Sequence, residues 1–182
     1  MDIDLQVRSA AFNWLSEQVN SHGDVLAWNV LLQGFEFQGQ RVPLVSPQGI
    51  FKPKILKLPI SIATTPKGPY NDFLGKDNFL IYRYRGKDPN QRDNVGLREV
   101  FRQGLPLVYF HGFEPGKYLA NFPVYIIGDD PRNLTFRVSI DDYLPVFGFS
   151  EANLTRHVAE VSDARHAYLT STMSIGLYAE TL

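Results

Sequence analysis

The stretch from Leu105 to Asp141, LPLVYFHGFEPGKYLANFPVYIIGDDPRNLTFRVSID, limits this chain more than any other. It predicts three strands. Leu105–Phe110 ends in a turn at His111-Gly112. Tyr118–Ile127 is entered through Pro115-Gly116 and left through Gly128-Asp129-Asp130-Pro131. Leu134–Ile140 alternates, with Leu134, Phe136, Val138 and Ile140 on one face and Thr135, Arg137 and Ser139 on the other. Period-two alternation bounded by Gly, Pro and Asp marks a strand. One apolar face and one polar face mark the wall of a half-buried antiparallel sheet or barrel.

A chain of 182 residues can bury one core or two small ones. With 44% hydrophobic and 20% charged residues, it has the composition of an ordinary globular protein. No apolar run reaches the length of a membrane span, and MDIDLQVRS lacks the basic-then-apolar order of a signal peptide. The cytoplasm is therefore the expected compartment, with no membrane partner. The chain has no cysteine, so disulfides and thiolate zinc sites are excluded.

The net charge of -1 conceals an asymmetry. Phe37 to Arg102 carries twelve Lys/Arg against five Asp/Glu, and Gln103 onward carries five against nine. Phe37 to Asn71 has no acid at all, yet holds Arg41, Lys52, Lys54, Lys57 and Lys67. A local basic zone on a near-neutral protein suits a phosphate-contacting face, although a solvated surface can look the same.

Along the chain, about Leu5 to Val19 predicts a helix, with Val7, Ala11, Trp14 and Leu15 at helical spacing. Ser21-His22-Gly23 breaks it. Asp24 is placed to cap a second helix, Val25–Gln33, which Gly34 ends. Phe35–Val45 alternates around Gly39 like a short hairpin. Two helices and a hairpin outline a partial winged-helix module with Arg41 on its wing; a cap on a larger sheet fits equally. Ser46–Pro59 is irregular because Pro47, Pro53 and Pro59 interrupt it. Its Lys52, Lys54 and Lys57 alternate with apolar residues, as in a loop that packs on one side or a lysine-protected edge. A short strand begins at Ile60, and a Pro/Gly-rich loop runs to Asn71. Phe79–Arg85 is a strand with Leu80, Tyr82 and Tyr84 on one face. Val95–Gln103 is a short helix with Leu97, Val100 and Phe101 inward and Arg98 and Arg102 outward. Tyr143–Phe149 is apolar but broken by Pro145 and Gly148, and Ala152 to about Thr170 fits a helix.

The segment RYRGKDPNQRDNVGLREVFRQGLPLVYFHGFEPGKYLANFPVYIIGDDP, with PQGIFKP upstream, resembles the N-terminal region of bacterial HNH-type predicted restriction endonucleases. The likeness covers roughly Ala10 to Tyr168. It rests on YRYRG, GLR, LPLVYFHG, PG-x-YLA and GDDP at matching intervals. An HNH centre needs a histidine base, further metal ligands and often a Cys-held zinc. His22, His111, His157 and His166 form no such pattern, so the resemblance implies the recognition half of a restriction enzyme without its nuclease, and no cofactor or metal.

Related modification-dependent nucleases pair the nuclease with a reader of a modified base, often an SRA- or PUA-like β-barrel that takes a flipped base. The implied function is recognition of modified double-stranded DNA; whether the chain forms a homodimer stays open. Such a reader needs aromatic walls, edge-reading polar groups and cations for the backbone. The base-pocket candidates are Tyr82, Tyr84, Tyr109, His111, Tyr118 and Phe122, with Phe110 and Tyr125 nearby in sequence. The DNA-backbone candidates are Arg41, Lys52, Lys54, Lys57, Arg83 and Arg85. For each tyrosine the competing reading is a place in the core. Asp129-Asp130 reads as turn chemistry before it reads as a metal site.

The expected fold is α+β: a helical, winged-helix-like part over residues 1–59, an antiparallel PUA/SRA-like β-barrel over 60–150, and a linker helix over 151–182. The alternative function is a protein-interaction or structural module. An enzyme is disfavoured because no nucleophile motif, phosphate loop or metal-ligand spacing is present.

Overall fold

In the computed structural model the described residues are 2–66, 73–74 and 79–140. The expectations for Lys67, the 143–149 segment and the C-terminal helix lie outside them. Helix α1 (Ile3–His22) starts at Asp2, whose carboxylate accepts the Asp4 N–H at 3.0 Å, and stops at Gly23. Leu5, Val7, Ala11, Phe12 and Leu15 are its buried apolar residues. The Phe12 ring stacks on Phe122 with centroids 5.9 Å apart.

The second helix starts later than the sequence suggests. Val25–Ala27 is a strand, β1, and helix α2 covers only Trp28–Gln33. Asp24 caps nothing there; Ala27 occupies the N-cap position without a side-chain bond. Pairing of Val25, Leu26 and Ala27 with Leu119, Tyr118 and Lys117 satisfies their backbone, which local helix propensity does not.

The expected hairpin is present as β2 (Phe35–Phe37) and β3 (Gln40–Val42). Its two-residue turn puts Gln38 at φ 50° and Gly39 at φ 77°, and positive φ at both positions matches the twist of the strands. Gly34 is fixed by its surroundings: a Cβ there would lie 1.9 Å from the Val42 carbonyl oxygen.

Strands β4 (Ile50–Phe51), β5 (Ser61–Thr64), β6 (Phe73–Leu74) and β7 (Phe79–Arg83) lead to helix α3 (Arg92–Gln103). Gln91 caps α3 through its amide oxygen, which accepts the Asp93 N–H at 2.7 Å. Gly104 ends it in the left-handed region. Then come β8 (Leu107–Glu114), β9 (Lys117–Asp130) and β10 (Thr135–Ser139). The sheet order is β4-β5-β8-β9-β10-β7-β6, with β1 paired to the start of β9. The result is a mixed α+β fold whose sheet curls into half a barrel.

Three details correct the sequence reading. The sheet is not wholly antiparallel, because β5 runs parallel to β8; the long connection through β6, β7 and α3 permits this. His111-Gly112 is not a turn. Strand β8 continues to Glu114, and the turn is Pro115-Gly116, with Gly116 at φ 74°. At Gly112 a Cβ would meet the Thr64 carbonyl oxygen at 2.5 Å, so glycine there permits close strand approach. The third detail is that β9 runs through Gly128 and Asp129 to Asp130, and the chain reverses over 131–134. Asp130 organises that reversal by accepting the Asn133 side-chain amide at 2.6 Å and the backbone N–H groups of Asn133 and Arg132; these bonds, the Asn133 amide foremost, hold its carboxyl below the usual carboxylate range.

One hydrophobic cluster runs from Leu5 of α1 through Leu44, Ile62 and Tyr84 to Val138 of β10. Residues of 1–59 and of 60–140 bury into it together. Among the described residues no helix is long and apolar enough to cross a membrane.

Candidate functional site

Among the described residues, the cations differ in what their charge is spent on, and the difference locates the candidate interface. One kind is spent on structure. Arg8 is fully buried on the inner face of α1. It pairs with Asp4 one turn earlier, donates to the Pro106 carbonyl at 2.8 Å and donates to the Pro59 carbonyl at 2.9 Å. A buried guanidinium is tolerated only when its charge and donors are answered, and here they are. It joins α1 to the segments entering β5 and β8.

Arg98 belongs to the same kind. The sequence places it outward on α3, but its side chain is only 16% exposed. Its Nε donates to Asp129 at 2.7 Å, and its Nη2 donates to the Tyr84 hydroxyl and the Pro89 carbonyl, each at 3.2 Å. Tyr84 donates its own hydroxyl proton to Asp129. Burial, then the bond to Asp129, pushes the Tyr84 phenol above the ordinary tyrosine value. The Asp129 hydrogen bond, foremost, raises the Arg98 pKa further, so it stays cationic. Arg85 is ion-paired to Asp93 and donates to Gln48 at 2.8 Å. Asn94 fixes the intervening loop: its amide oxygen accepts the Arg85 N–H, and its amide nitrogen donates to the Arg85 and Asp88 carbonyls.

The other kind faces solvent. Arg41, Lys52, Lys54 and Lys57, all from the acid-free stretch, are exposed. Among the described residues none of the four is ion-paired with a carboxylate. Lys52 donates to the Leu56 carbonyl at 3.0 Å, which closes the 52–56 turn. Arg83 and Arg137 are exposed on a shared face of β7 and β10, where Arg83 stands opposite Thr135 and Arg137 opposite Ile81. The Arg137 guanidinium lies 6.0 Å from the Phe79 ring centroid. Arg137 was legible only as a member of the polar set of its strand.

The six base-pocket candidates do not converge. Tyr82 and Tyr84 are buried, the first with its hydroxyl 3.4 Å from the Ala63 carbonyl and the second in the Arg98–Asp129 group. Tyr118 is buried against Trp28 at 5.6 Å, and this burial raises its phenol pKa. Phe122 packs on Phe12. Phe110 and Tyr125 are core residues. Tyr109 and His111 meet directly. Tyr109 is buried; its hydroxyl lies 3.0 Å from Thr64 Oγ1 and 3.1 Å from His111 Nδ1, and His111 keeps part of its surface in solvent. This Thr64–Tyr109–His111 chain joins β5 to β8 where they run parallel. Among the described residues no three His, Asp or Glu side chains gather as a metal site requires.

Comparison with family models, with curated proteins and with solved structures finds no match for this chain.

Proposed function

We propose that this chain is a DNA-binding recognition module of the kind that HNH-type, modification-dependent restriction endonucleases carry. The observation that supports it most is the state of the acid-free stretch. Arg41, Lys52, Lys54 and Lys57 are exposed and lack carboxylate partners among the described residues, while Arg8, Arg85 and Arg98 are neutralised. Exposed cations without internal counter-ions exchange condensed counter-ions for phosphates on binding DNA. Arg83 and Arg137 would extend the contact onto the β7–β10 face.

In this reading the curled sheet is a PUA/SRA-like half barrel, and α1, α2 and the β2–β3 hairpin are a partial winged helix. The order helix, helix, hairpin supports the second assignment, with β1 as an addition to it. Reading of a modified base, by flipping or in the stack, then falls to His111. It is backed by Tyr109, and it keeps solvent-facing surface at the parallel strand pair.

The test is binding of the chain to matched duplexes: unmodified, 5-methylcytosine, 5-hydroxymethylcytosine, N6-methyladenine and phosphorothioate. Salt-dependent binding with a preference of about tenfold or more for one duplex supports a reader. Salt-dependent binding without preference leaves the DNA contact and removes the modified base. No binding overturns the proposal in favour of a protein-interaction module.

A further inference from the structure

Between α1 and the β2–β3 hairpin lies a cavity of about 560 Å³, within the ~300–1,000 Å³ span of small-molecule sites. Trp14 and Phe35 form its apolar wall, with rings 6.1 Å apart and tilted by 32°. Glu17, Gln33, Glu36 and Arg41 supply its polar groups. Glu36 and Arg41 stand directly opposite one another in the hairpin register. Neighbours of opposite charge at that spacing ordinarily reach each other. These two form no ion pair, and both line the cavity.

The geometry points to a binding site for a guanine base, as a free nucleotide or in a nucleic-acid strand. The ligand must be planar, because the wall is aromatic. It must also present donors and acceptors on separate parts of its edge, because a carboxylate and a guanidinium stand side by side without neutralising each other. Guanine meets both conditions. Its ring N1–H and exocyclic amino group are two parallel donors for the two oxygens of Glu36. Its O6 and N7 are two acceptors for the fork of Arg41. Adenine offers no second donor beside its amino group to fill a carboxylate, and lacks the O6 acceptor. Cytosine has one amino donor and a smaller stacking face. A simple cation would satisfy Glu17 and Glu36 but would be repelled by Arg41. Trp14 supplies the stacking platform, and Gln33 and Glu17, which also line the cavity, serve the sugar hydroxyls.

This site shares Arg41 with the proposed duplex contact but does not require the lysines, and its test is separate from theirs. The full chain is titrated calorimetrically with GMP, AMP and CMP. The variants Glu36→Gln and Arg41→Gln are run beside it; both positions are exposed, so the fold is expected to persist, and circular dichroism checks that. The expected result is GMP binding that exceeds AMP and CMP by about tenfold or more and falls by about tenfold or more in each variant. A second arm compares GMP with a short single strand holding one guanine among thymines. A much tighter strand identifies a base within nucleic acid; equal affinity identifies the free nucleotide. No GMP binding at millimolar concentration overturns the inference, as does equal binding of the three nucleotides or affinity unchanged in Glu36→Gln.

Discussion

Arg98 on α3 reaches across to Asp129 near the end of β9 with a nitrogen–oxygen distance of 2.7 Å, and this pair fastens the helix to the sheet. The two side chains are 16% and 11% exposed. At that burial, removing one partner strands the other charge in a poorly solvated place. Asp129→Ala should therefore destabilise the fold by about 3 kcal/mol. The double variant Arg98→Met/Asp129→Ala should recover part of the loss. Urea unfolding of the two single variants and the double variant closes the cycle. Additive losses would show that the pair does not couple α3 to β9.

The same group gives the protein an alkaline limit. Tyr84 has its phenol raised above the ordinary value of about 10, by burial first and by Asp129 second. A folded pKa above the unfolded one means that the native state holds the proton more tightly. The stabilisation is complete below about pH 10 and is lost as pH rises through the folded value. Tyr118, raised by burial, acts in the same direction. Tyrosinate absorbance should show the Tyr84 and Tyr118 phenols titrating late, and Tyr84→Phe should remove one late-titrating phenol. A titration unchanged by Tyr84→Phe would contradict the placement of that proton.

Arg8 should be among the least replaceable residues of α1. Arg8→Met removes the partner of Asp4 and leaves the Pro59 and Pro106 carbonyls without their donor. A loss of about 3–5 kcal/mol is expected, from the unpaired carboxylate and two unanswered buried acceptors. Arg8→Lys should rescue little, because one ammonium cannot replace a fork that serves three partners. Chemical denaturation with a constant m-value measures both variants. Full rescue by lysine would mean that charge alone matters at this position.

What could be read without the structure follows local patterning. The alternation of Phe136 and Val138, the Gln38-Gly39 turn and the core face of α3 with Leu97 and Val100 are local signals, and they appear as expected. The failures arise where distant partners decide. Val25–Ala27 has no local mark of a strand; it becomes one because the start of β9 offers it a partner. His111-Gly112 looks like a turn, yet its glycine serves the approach of β5. Gly128-Asp129-Asp130-Pro131 looks like a turn throughout, but only Asp130 and Pro131 take part in the reversal, and Asp129 is claimed by Arg98. Arg8 had a signal that could be read: it falls three residues after Leu5 and four before Phe12, within the apolar stripe of α1. Tyr82, Tyr84 and Tyr109 sat on apolar faces in the sequence, and the structure buries them. The aromatic wall of the helix–hairpin cavity was missed because Trp14 and Phe35 are separated by β1 and α2 in the chain.

The central claim is that the lysines of the acid-free stretch meet DNA phosphates. Its most direct measurement is the salt dependence of duplex affinity for the native chain and for Lys52→Gln/Lys54→Gln/Lys57→Gln. These lysines are exposed, and among the described residues the one bond the variant loses is that of Lys52 to the Leu56 carbonyl. It should therefore fold, which circular dichroism checks. Each phosphate contact contributes about 0.9 to the slope of log affinity against log salt. The account predicts weaker binding at every salt concentration and a slope shallower by about 3 in the variant. An identical slope and affinity in the two proteins would contradict it.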